Sequence, residues 1–251
     1  MGRRFSRRCP NRVCAGIIET DEDDEYYKML TLFGRSEEEN QRIAIHESGH
    51  AVAARLLGNP LGGATINPDP SGKYGGLVWG PGYSVAYGDD NGGDRISELC
   101  DKLRAVMPKD GEPRGEAAYI YLHALNRCIE LAAAASAERM LLPGDPVPSV
   151  CDIEHTIKYA SLVCRSPEAA AKFISLAEQM ADDLLRPYGY LIIALSVVLR
   201  IRRTLTGTKI DDVITPALAS FELALEQRLR ADWQNRALSA RNFAAEHGHG
   251  G

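Results

Sequence analysis

Apolar residues first take up a helical rhythm just after Ser36. Ile43, Ala44, Ala51, Ala54 and Leu57 return at helical spacing. Ser36, followed by Glu37, Glu38 and Glu39, predicts a capping box and sets negative charge at the positive end of that helix. Gly58, Asn59 and Pro60 predict its end. Two short β runs follow, Ala64–Ile66 and Gly76–Trp79, with a Pro- and Gly-rich loop from Asn67 to Gly75 between them. Residues 80–93 are rich in glycine and predict a loop. Asp94–Val106 predicts a helix, and Pro108–Gly115 a break. The pattern then turns almost wholly helical: Glu116–Leu142, Ser149–Cys164, Pro167–Leu185, Pro187–Arg203 and Asp211–Arg241. Pro143-Gly144-Asp145-Pro146-Val147-Pro148 separates the first two of these. Residues 1–34 carry charge blocks of both signs and few aliphatics, which predicts a tail without a core. The expectation is one mainly α domain over 35–243 with a small β-hairpin or sheet, and a flexible tail over 244–251.

Composition narrows the class. The chain has 251 residues, 45% of them hydrophobic, enough to bury one sizeable core. A formal net charge of -5 argues against nucleic acid, whose phosphates need a basic surface. The arginines at 3, 4, 7, 8 and 12 are followed by an acidic run from Glu19 to Glu25. No apolar stretch of signal-peptide type follows them. The longest apolar run, Tyr190–Leu199, falls short of the roughly 20 residues a membrane span needs. The 6 cysteines contain no Cys-x-x-Cys pair. They read as reduced thiols of a cytoplasmic protein.

One segment carries chemistry. Ile45-His46-Glu47-Ser48-Gly49-His50-Ala51 contains His-Glu-x-x-His inside the first predicted helix. Residues four apart share a helix face, so both imidazoles can meet one ion at about 2.0–2.1 Å. Glu47, one residue on, projects beside that ion rather than onto it. There it can take a proton from a water whose pKa zinc has lowered to about 7. The five-residue pattern arises by chance in roughly 1 of 100 chains of this size. The bland reading is two satisfied histidines and a surface glutamate. The capped apolar helix around the motif, with small Gly49 and Ala51, argues for the metal.

Around this motif the chain resembles the peptidase domain of the FtsH family. The stretch from Ser36 through Ala51 resembles that family's metal-binding helix. Ala64-Thr65-Ile66-Asn67-Pro68 with Gly75-Gly76-Leu77-Val78 resembles its strand pair. Ala137-Glu138-Arg139-Met140-Leu141 and Ser149-Val150-Cys151-Asp152-Ile153 resemble two later segments. Thr204–Ile210 resembles its C-terminal Thr-Leu-x-Gly turn. The five matches keep the family's order over roughly residues 36–215.

The resemblance implies a helical zinc metalloendopeptidase with the small sheet beside the metal-binding helix. It implies His46, His50 and Asp152 as ligands and Glu47 as general base. The residues alone leave the third ligand open: Ser149-x-x-Asp152 also suits a plain helix start, and His155 and His123 are rivals. Glu138 is either a carboxylate that orients a ligand imidazole or a surface group late in a helix. The Gly76–Trp79 strand is either an edge to which an unfolded protein or peptide substrate adds, or a hairpin strand with no ligand. The segment 80–115 is expanded, either a lid over the cleft or an inert insertion. Family members carry an ATPase module and a membrane anchor. No Gly-x-x-x-x-Gly-Lys-Ser/Thr loop occurs in these residues, so the chain either cuts already unfolded chains or short peptides, or a separate ATPase partner feeds it. The long last helix, with Trp233, either supports a homo-oligomer or packs on its own domain. The rival readings are a non-catalytic binding or regulatory protein on the same fold, and a zinc hydrolase acting on something other than protein.

Overall fold

The computed structural model describes residues 28–30, 32–69, 75–81, 100–109, 111–113 and 115–248. The chain divides into two compact units, Met1–Glu37 and Glu38–Gly251. In the first unit, residues 28–30 and 32 are helical, and Phe33 N–H donates to Met29 O at 3.1 Å. Residues 33 and 34 form a turn. The rest of the predicted tail lies outside the described residues, as does most of the 80–115 segment. Of the helix expected over Asp94–Val106, residues 100–106 are described; 100–105 are helical and Val106 lies in a turn.

The second unit is mainly helical with one small sheet. Among the described residues its main helices are α1 (Glu37–Leu56), α2 (Gly115–Leu141), α3 (Val150–Val163), α4 (Pro167–Leu185), α5 (Gly189–Arg202) and α6 (Gly207–His247). Strands β1 (Gly63–Thr65), β2 (Leu77–Trp79) and β3 (Thr204–Thr206) form an antiparallel sheet in the order β2-β1-β3. Ala64 lies opposite Val78 on one side and Leu205 on the other.

The third strand was not expected. Thr204–Thr206 reads as a turn from the sequence, but it pairs with β1 because α5 ends sharply just before it. Arg203 takes φ 67°, and its N–H donates to Leu199 O at 2.7 Å, an end that usually needs glycine. Its guanidinium holds that conformation in place, donating to Asn40 Oδ1 at 2.7 Å, Asn67 Oδ1 at 3.0 Å and Ile66 O at 3.2 Å. Thr206 then caps α6 by accepting from Lys209 N–H, so α6 starts four residues earlier than expected. It also continues through His247, into the segment expected to be a flexible tail.

Helix α1 is more than the one-sided stripe its sequence suggests. Residues from Ile43 to Ala54 are buried almost without interruption. A helix enclosed on several sides must carry small residues where neighbours come close. Gly49 is such a point. A Cβ there would lie 2.8 Å from Ala133 O, 2.8 Å from Ala137 Cβ and 3.0 Å from Ala134 Cα. The alanine-rich face of α2 therefore packs directly on the metal-motif helix. Gly49→Ala gains up to about 1 kcal/mol of helix propensity but forces two backbones apart. We expect a net loss of about 1–2 kcal/mol, read as a lower urea midpoint with an unchanged slope.

Helices α2, α3 and α4 pack together, and α5 packs against α6. Tyr159, Phe173, Leu185, Ile192, Leu195 and Leu199 share the core with α1. Taken across the short 3₁₀ turn at Arg186–Tyr188, Pro167–Arg202 is long and apolar enough to cross a membrane by length and composition. Asp182, Asp183 and Arg186 interrupt it, and Ala177, Ala181, Leu185 and Leu191 are buried in the core. The four described cysteines, Cys100, Cys128, Cys151 and Cys164, are free thiols.

Candidate metal centre

His46 and His50 lie one turn apart on α1, their ring centroids 4.9 Å apart. Their Nε2 atoms converge on one carboxylate oxygen of α3. His46 Nε2 is 3.1 Å from Asp152 Oδ2, and His50 Nε2 is 3.4 Å from the same atom. A tetrahedral ion with bonds of about 2.0–2.1 Å sets its donor atoms about 3.3 Å apart. The three side chains offer one ligand atom each, all within 4.8 Å of one another. The spacing and the donor set, two imidazoles and a carboxylate, suit zinc with a fourth position open. His46 and Asp152 stay partly exposed, at 14% and 22% of their side-chain surface, so that position is reachable from solvent.

The outer nitrogens are also held. His46 Nδ1 donates to Glu138 Oε1 at 2.7 Å, and His50 Nδ1 donates to the backbone carbonyl of Glu130 at 2.8 Å. Each bond fixes the ring and leaves Nε2 facing Asp152. Glu138, only 2% exposed, is itself fixed. Val147 N–H donates to its Oε2 at 3.1 Å, and Arg42 Nη1 lies 4.0 Å from that oxygen. The Pro/Gly-rich loop after α2 thus turns back to hold the carboxylate it has just left. Glu138→Gln keeps the shape but removes the charge behind His46. We expect zinc affinity to fall roughly 10- to 100-fold, measured by competition with a chromogenic chelator.

Electrostatics favour a cation at the centre. Burial opposes a charge on His46, but hydrogen bonds to Asp152 and Glu138 and the charge of Glu47 outweigh it, raising its pKa to about 10. His50 is raised as well: burial opposes it, and Asp152 more than compensates. Burial would push Asp152 up, yet the two imidazoles hold it far below the usual carboxylate range. Without a metal, the raised imidazoles and the lowered carboxylate favour a proton shared between them. A divalent ion would take that place and expel protons on binding.

Asp152 keeps its helix-start role too. Ser149 Oγ accepts from the Asp152 N–H at 3.4 Å, while the Asp152 carboxylate reaches the histidines. The rival histidines stand apart from the cluster. His155 is one turn further along α3, and His123 on α2 lies edge-on to Tyr159 with ring centroids 6.1 Å apart.

The sequence matches no protein-family model, and it matches no curated protein.

Glu47 is 5% exposed and packs against the sheet edge. A Cβ on Gly76 would lie 2.6 Å from Glu47 Oε1 and 2.7 Å from its Cγ. Glycine at this position lets the chain entering β2 run directly beside the carboxylate. Among the described residues β2 pairs with β1 alone and is an outer strand of the sheet. Sequence reasoning missed two parts of this arrangement: the Glu130 carbonyl behind His50 and the contact between Gly76 and Glu47. A backbone carbonyl leaves no residue-type signal. The second glycine of Gly75-Gly76 was the only sign of a close approach.

Proposed function

We propose that the chain is a zinc-dependent metalloendopeptidase whose centre is arranged as in the peptidase domain of the FtsH family. The observation that carries this reading is the convergence of His46 Nε2, His50 Nε2 and Asp152 Oδ2 at tetrahedral donor spacing, with Glu47 next in sequence to His46. His46, His50 and Asp152 would hold the ion, and Glu138 and the Glu130 carbonyl would fix the two rings. When bound, zinc supplies a Lewis acid that polarises the scissile carbonyl and acidifies a water. Glu47 takes the proton of the attacking water and delivers it to the departing amine. Its burial beside Gly76 strengthens its interactions with charge developing there.

The substrate is an unfolded protein or a peptide. An extended segment laid along β2 would use main-chain hydrogen bonds and bring its peptide group beside Glu47. Such binding reads backbone rather than side chains and suits broad cleavage. These residues hold no ATP cradle, so substrate unfolding falls to an ATPase outside them, or the substrate arrives unfolded.

Purified protein should contain about one zinc per chain and cleave casein. A chelator should stop cleavage, and added zinc should restore it. Folded protein that neither contains zinc nor takes it up would overturn the peptidase reading. Zinc-loaded protein that leaves casein intact but hydrolyses a small ester or amide would point instead to a non-protein substrate.

A further inference from the structure

α6 is 41 residues long, about 60 Å, yet only its first third packs on the domain. Ile210 is buried, and Ile214 and Leu218 pack against the core. Phe221 stacks on Tyr190 of α5 with ring centroids 4.4 Å apart. From residue 219 to residue 247 every residue is exposed except Ala237, which is half-buried. The apolar side of the helix does not stop there. At about 100° per residue, Leu225, Leu229, Trp233 and Phe243 fall within about 60° of Leu218, the side that meets the core. Leu229 is 56% exposed, Trp233 74% and Phe243 63%. A helix this long, with no described residue packed on its apolar stripe, is marginal in water and calls for a partner.

The charges on the stripe identify that partner. Asp232 and Arg236 lie on the same side as the apolar residues, symmetrically about residue 234. A second copy running antiparallel about that point sets Asp232 against Arg236 of the second copy, twice. The same register sets Leu225 against Phe243 of the second copy. A parallel pair would set Asp232 against Asp232 and Arg236 against Arg236.

We infer that residues 219–247 of α6 form the interface of a homodimer in which two copies pair antiparallel. The contact is isologous, so it closes on itself and leaves the two domains at opposite ends of the helix pair. It does not depend on the peptidase reading.

The test is the mass of the full chain in solution by light scattering across a micromolar concentration series. Wild type should give about twice the 27.4 kDa chain mass, and Leu229→Asp the chain mass itself, with an unchanged far-ultraviolet circular dichroism spectrum. Asp232→Arg and Arg236→Asp should each weaken the dimer roughly tenfold or more, because like charges then meet at two points. An equimolar mixture of these two variants should dimerise again, since each chain's residue 232 meets the opposite charge at 236. Four results overturn the inference. One is a monomeric wild type throughout the series. A second is single variants that pair as tightly as wild type, as a parallel arrangement predicts. A third is a mixture that does not recover. The fourth is a monomer that instead co-sediments with anionic lipid vesicles.

Discussion

Glu47→Gln is expected to remove casein cleavage while leaving zinc in place. Glutamine has almost the shape of glutamate, so the contact with Gly76 survives and nothing new is forced into this buried site. What is lost is the ability to accept a proton. General-base assistance contributes about 10²- to 10⁴-fold, and the cleavage rate should fall by that much. The zinc content and melting temperature of the variant should stay close to wild type, because Glu47 is not among the three converging ligands. Full activity in this variant would remove Glu47 from the mechanism. Loss of zinc along with activity would show it to be a ligand rather than a base.

Asp152→Ala is expected to cost the metal itself. Apparent zinc-binding energies of about 10–16 kcal/mol, shared among three or four ligands, amount to about 3–5 kcal/mol each. Affinity should therefore fall roughly a thousandfold, and protein purified without added zinc should be empty. A second effect belongs to the metal-free protein. His46 has a folded pKa of about 10, above its ordinary 6.5, because carboxylates outweigh its burial. Its stabilising contribution is therefore complete below the unfolded pKa and is lost as pH rises through the folded value. Metal-free wild type should melt progressively lower between neutral pH and pH 10. Asp152→Ala should melt lower than wild type near neutral pH, and the gap should narrow as pH approaches 10. A variant that binds zinc as tightly as wild type would exclude Asp152 as the third ligand.

Local rules hold within a turn or two of helix. The His46–His50 spacing, the neighbouring Glu47 and the breakers at Gly58-Asn59-Pro60 act within one or two helical turns. The structure keeps all of them, because a helix imposes its period whatever surrounds it. The alanine-rich stretch from 131 to 137 reads as helix for the same reason, but its purpose, close approach to Gly49, cannot be read from it. Strand β3 shows the limit from the other side. Thr204–Thr206 has too few residues to signal a strand, and it becomes one because β1 offers an open edge and Arg203 turns the chain towards it.

The sequence by itself determined the chemical core of the site: two imidazoles on one helix face, with a carboxylate beside the first. It also determined the mainly helical class and the ends of most helices. The tertiary structure alone decided that Asp152, and not His155 or His123, meets the two Nε2 atoms. It alone decided that Glu138 and the Glu130 carbonyl stand behind the rings, and that Gly76 admits the sheet edge to Glu47. The reason is range. The partners of His46 lie 106 and 92 residues away along the chain, and the Glu130 carbonyl lies 80 residues from His50. No periodicity spans such separations. They are closed by the packing of α2 and α3 against α1, which is set by the small residues at their contact and by the turn the chain makes between them.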